Sequence, residues 1–65
     1  MKNKRGITIT EKIRHDIEIA KTVKDDEQRR LLAYMAISAA ELAVDFELIS
    51  NREWGNITKE AFNIM

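Results

Sequence analysis

The sequence predicts a mostly α-helical fold: a short N-terminal strand, two main helices and a short C-terminal helix, assembled as an obligate homodimer. Three observations point there. The run from Leu31 to Ile49 is apolar on most sides of a helix, which is the pattern of a covered element rather than a surface one. Ile7 and Ile9 alternate with Thr8 and Thr10 as in a strand, yet no second alternating stretch exists to pair with it. The chain has 65 residues and no cysteine, so it is short for a self-sufficient core and has no disulfide to compensate. A second copy would supply both the missing strand and the missing cover.

Taken in order, residues 1–5 are polar, and Gly6 to Thr10 (GITIT) form the strand, β-branched throughout its length after the glycine. Thr10 is placed to cap a first helix that begins at Glu11, whose carboxylate suits the positive end of the helix dipole. Ile13, Ile17 and Ala20 follow the i, i+4, i+7 rhythm of one buried stripe, and the helix is expected to end near Lys24. Asp25 and Asp26 form a cap pair for the central helix, with Gln28 three residues after Asp25. Along that helix Leu31, Leu32, Met35, Leu42, Phe46 and Ile49 share one broad face, while Ile37, Val44 and Leu48 make a second. Alanines lie between these faces, and Tyr34, Ser38, Glu41 and Asp45 form a narrow wet stripe. Ser50 with Glu53 repeats the capping spacing; Gly55 reads as a stop, and Asn56 or Thr58 as the cap of a last helix through Phe62. Two parts result, a unit over residues 1–50 and an apolar tail over residues 51–65.

Charge is balanced overall, with eleven basic and eleven acidic residues, but it is unevenly placed. Residues 1–14 carry five basic side chains against one acidic, and residues 25–65 carry eight acidic against four basic. A basic end of this kind fits an anionic partner or a solubilising tail. The basic start is followed by no apolar segment of the signal-peptide type, and Glu41, Asp45 and Glu47 would be costly in lipid, so neither export nor a membrane span is expected. With cysteine absent, the expected compartment is the cytoplasm.

Catalysis finds no residues to carry it. His15 is the single histidine and sits on the polar side of the first helix. Glu41 and Asp45 share a face at i, i+4, but no histidine accompanies them, so a carboxylate metal site is incomplete. The two glycines stand apart and form no phosphate loop. We therefore expect no enzyme, no cofactor and no metal.

The order KRGITIT, EKIRHDIEIA and DDEQRRLLAYM over residues 4–40 resembles the ribbon–helix–helix DNA-binding proteins, small plasmid and phage repressors and antitoxins. The resemblance implies that two chains pair their strands as an antiparallel ribbon, and that Ile7, Ile9, Leu31, Leu32, Met35, Leu42 and Phe46 belong to the dimer core. It further implies a ribbon lying in the major groove of duplex DNA, with Lys4, Gly6, Thr8 and Thr10 facing outward, Lys4 and Thr8 bonding bases, and Lys2 and Arg5 on phosphates. In place of the usual glycine and small polar residue, the turn between the helices carries Lys24-Asp25-Asp26.

A second reading explains the apolar content equally well. The chain would be a helical protein-interaction module, such as a phage or mobile-element modulator of a host protein, or an antitoxin whose tail wraps a toxin. Trp54 and Phe62 would then anchor the tail on its partner. The tail could instead be a third helix that covers its own core.

Overall fold

The computed structural model describes residues 8–65. The described chain is an all-α arrangement of three helices: α1 (Ile9–Lys21), α2 (Asp26–Asp45) and α3 (Asn51–Asn63). Each helix starts at a side chain that occupies amide groups which the helix itself cannot satisfy. At α1, Thr8 Oγ1 accepts from the Glu11 amide at 3.1 Å, and Glu11 Oε1 accepts from the Thr8 amide at 3.2 Å. At α2, Asp25 Oδ1 accepts from the Gln28 amide at 2.9 Å. At α3, Ser50 and Glu53 close a reciprocal capping box, each bond being 3.1 Å.

The end of α2 is equally specific. The Leu48 amide donates to Ala43 O at 2.8 Å and the Glu47 amide to Val44 O at 3.0 Å, the paired bonds of a Schellman motif. That motif needs a left-handed residue, and Glu47 provides it with φ 60° although it is not glycine. The chain then turns through Ser50 into α3.

Helix α2 packs against both of the others, which also touch each other, and it forms the floor of the core. Ile13 and Ile17 of α1 and Ile57 and Ala61 of α3 pack against Ala33, Ala36, Ala40 and Ala43 of α2. Ile17 and Ile57 are fully enclosed. Small side chains on the middle helix let its neighbours approach to within helix-packing distance, about 8–10 Å between axes. Polar ties bind the assembly at both ends. Thr10 Oγ1 donates to Glu53 Oε2 at 3.0 Å, and Arg14 pairs with Glu60, so α1 is fastened to α3 twice. At the other end Arg29 Nε donates to Ile64 O at 2.8 Å, its Nη1 to Val23 O at 3.0 Å, and it pairs with Asp26.

The strand expected over residues 6–10 is corrected. Thr8 is the cap of α1, and Ile9 and Thr10 form its first turn; no strand occurs among the described residues. The physical reason is local: Thr8-Ile9-Thr10-Glu11 is a threonine-to-glutamate capping box, which satisfies amides within the chain, whereas a strand there has no partner in the chain. The first helix also ends earlier than expected, at Lys21, with Thr22 as its C-cap. Gly55 does not stop the last helix but lies inside α3. The tail accordingly forms one continuous helix packed on α2. Among the described residues no helix is long and apolar enough to cross a membrane.

Candidate functional site

The feature without an explanation in the fold is the side of α2 that faces away from α1 and α3. Helical geometry of about 100° per residue puts Ala33, Ala36, Ala40 and Ala43 on one side and Leu31, Met35, Leu42 and Phe46 about 130° round the helix from them. The alanines are buried, and the large residues are not: Leu31 and Leu42 are each 60 % exposed, Met35 59 % and Phe46 68 %. Tyr34, at 53 %, widens the face on one flank, where Glu27, Arg30, Glu41 and Asp45 also lie exposed. Arg30, Glu41 and Asp45 enter no ion pair among the described residues.

On the other flank the face runs into a groove between α1 and α2 of about 330 Å³. It is lined by Ile19, Leu32, Met35, Ala36 and Ala39, with Asp16 at its edge. Ile19 is itself 46 % exposed. The result is a continuous apolar strip along α2 with a shallow channel beside it. Monomeric proteins rarely leave an apolar row of this size in water without a use for it.

The residues expected to meet DNA are not brought together. Lys2, Lys4, Arg5 and Ile7 lie outside the described residues. Thr8 spends its hydroxyl on the α1 cap and Thr10 donates to Glu53, so neither is an outward base reader on a ribbon. The Glu53 carboxyl is held below the usual carboxylate range, chiefly by the Ser50 amide and then by the Thr10 hydroxyl. Ile9, expected inside a dimer core, is an exposed residue of the first helical turn. Leu31, Met35, Leu42 and Phe46 do share one face, as their spacing predicts, and Leu32 is half-buried at the groove.

Of the two expected tail anchors, Trp54 is half-buried against the core, whereas Phe62 is exposed. Trp54 Nε1 and Thr58 Oγ1 are enclosed with no hydrogen-bond partner among the described residues. Arg29 is a structural residue that the sequence reading did not single out; its guanidinium is turned inward onto the Val23 and Ile64 carbonyls. His15 is exposed, and no cluster of three metal-ligating side chains occurs among the described residues. Compared with known protein families, curated proteins and solved structures, the chain matches none.

Proposed function

We propose that the protein is a small helical interaction module and not an enzyme, and that the outer face of α2 is its working surface. One observation supports this most: α2 turns Ala33, Ala36, Ala40 and Ala43 inward and leaves Leu31, Met35, Leu42 and Phe46 exposed, with only Ile37 and Val44 of its large side chains packed on the core. Large side chains contribute roughly 1.5–3 kcal/mol each when fully buried, so the usual folding preference would place them inside. Here that gain is left for association. From Leu31 to Phe46 the row is straight and about 22 Å long at 1.5 Å per residue, the shape that receives another helix.

Duplex DNA is not the occupant that this face fits. Glu27, Glu41 and Asp45 line one flank of it against the single Arg30, a balance that repels phosphate. A ribbon of the expected kind would need a strand through residues 8–10, and these residues are the cap and first turn of α1. A cysteine-free chain of this kind suits the cytoplasm. Its biological effect would be regulatory, exerted by occupying a helix-binding surface rather than by chemistry.

The test is site-specific photocross-linking in cells that make the protein, with benzoylphenylalanine at Met35 or Leu42 on the outer face and at Asn56 on the exposed side of α3. Protein adducts from the α2 positions and none from position 56 are expected. Equal labelling at all three, or no protein adduct from α2, would remove the reading.

A further inference from the structure

We propose that the helix received by this face is α2 of a second copy, laid antiparallel, with the two-fold axis passing between Ser38 and Ala39. The inference rests on the outer face of α2 being the working surface, and it names the occupant.

The spacing of the face is palindromic. Leu31, Met35, Leu42 and Phe46 stand at equal distances on either side of the midpoint between Ser38 and Ala39. Reversing the helix about that point places Leu31 opposite the partner's Phe46 and Met35 opposite the partner's Leu42, and the partner's Met35 and Leu31 complete the row. Any helix with an apolar stripe could rest on this face, but a two-fold pairing requires one surface to complement itself. At the midpoint the side chains are small, Ser38 and Ala39, both exposed, so two α2 helices can approach closely where they cross.

Charge on the flank fixes the direction. Arg30 lies toward the N-terminal end of α2, and Glu41 and Asp45 toward its C-terminal end. An antiparallel pair brings Arg30 to within about two residues, roughly 3 Å along the axis, of the level of the partner's Asp45. A parallel two-fold pair would put the two charged flanks on opposite sides of the interface, so that Arg30 would meet no acid of the partner's flank. The groove beside Met35 also has an occupant in the antiparallel arrangement, since the partner's Leu42 arrives at that level.

The area is sufficient. Leu31, Tyr34, Met35, Leu42 and Phe46, each giving up on the order of 100 Å², bury about 1,000 Å² when both copies are counted, the lower bound for a specific interface. A dimer of this size is expected to dissociate in the micromolar range.

The experiment uses the full chain. Sedimentation equilibrium should give a reversible dimer, and Leu42→Glu should return it to monomer with unchanged helicity. The absence of native cysteine makes single labels unambiguous. Ser38→Cys should oxidise to a covalent dimer, and a spin label on Arg30→Cys should report about 25–30 Å between copies, against about 15–20 Å for a parallel pair. Arg30→Glu and Asp45→Arg should each raise the dissociation constant about tenfold, and the double exchange should restore it. A short Arg30 distance, or a chain still monomeric near 1 mM, would overturn the antiparallel pair. In the monomeric case, adducts from position 42 to a different protein would keep the working surface and replace its occupant; no adducts at all would remove both.

Discussion

The side of α2 that meets α1 and α3 carries Ala33, Ala36, Ala40 and Ala43, with Ile37 and Val44 packed partly buried beside them, and the outer side carries Leu31, Met35, Leu42 and Phe46. Both sides are apolar, so hydropathy alone does not distinguish them. Size does. The inner side needs close approach of two flanking helices, whose Ile13, Ile17 and Ile57 reach across and fill the space that alanine leaves. The outer side has no flanking helix within the described chain and carries bulk that nothing intramolecular covers. A helix with its small residues inward folds through one side and leaves the other exposed, and this exposed side is the one proposed for association.

The two sides should therefore answer differently to loss of bulk. Ile17→Ala removes a fully enclosed side chain that packs against the alanine side, and a cost of about 2–5 kcal/mol is expected. A domain of this size holds roughly 3–10 kcal/mol in all, so much of the variant would be unfolded at 25 °C. Leu42→Ala removes a similar volume from a residue that is 60 % exposed, and monomer stability should move by less than about 0.5 kcal/mol. Urea unfolding at low micromolar concentration checks the pair, because dilution keeps association from adding apparent stability. Equal losses in the two variants would mean that the outer face is covered within the monomer, and the contrast between the sides would be lost.

Arg29 anchors the inner side at its polar end. Its guanidinium is the only group tying the α1–α2 turn, α2 and the end of α3 together among the described residues, through Val23 O and Ile64 O. Arg29→Ala leaves both carbonyls without that donor, and a loss of about 1.5–3 kcal/mol is expected. Arg29→Lys should recover little, since an ammonium cannot reproduce a fork directed at two acceptors. Its neighbour Arg30, exposed on the outer flank, serves as the control: Arg30→Ala should leave thermal unfolding of the monomer within about 0.5 kcal/mol of the parent.

What the residues disclose in advance follows from how local each determinant is. The i, i+4, i+7 stripe of Ile13, Ile17 and Ala20 and the caps at Asp25 and Ser50 depend on neighbours within a turn or two, and they are found as read. The start of α1 was equally local, because Thr8 and Glu11 have capping-box spacing; the alternation of Ile and Thr masked it. Gly55 was read as a stop, but no left-handed turn is required there, and a glycine inside a helix costs only about 1 kcal/mol against alanine. The orientation of α2 was not legible. Two apolar faces compete for one interior, and the winner depends on how closely α1 and α3 can approach, which no window of sequence contains. Arg29 was hidden for the same reason, its partner Ile64 being 35 residues away.

The smallest expected effect concerns acid, at the end of the bundle opposite Arg29. Glu53 receives the Ser50 amide and the Thr10 hydroxyl, and these bonds favour the charged carboxylate, so its pKa in the folded chain lies below the unfolded value. A depressed carboxylate stabilises the fold above the unfolded pKa, near 4.3, and loses that contribution as pH falls through the folded value. Glu53→Gln keeps an acceptor for both donors but removes the titration. Its melting temperature should sit slightly below the parent's at pH 7, with the gap closing as the pH falls below the unfolded value near 4.3. The other carboxylates are common to both proteins, so the difference between the two melting curves isolates this one. The outer face contributes nothing to that difference, since Glu53 lies between α1 and α3 and not on the exposed row of α2. A gap constant with pH would show that Thr10 and Ser50 hold the neutral side chain as well as the charged one, and the α1–α3 tie would then be neutral hydrogen bonding alone.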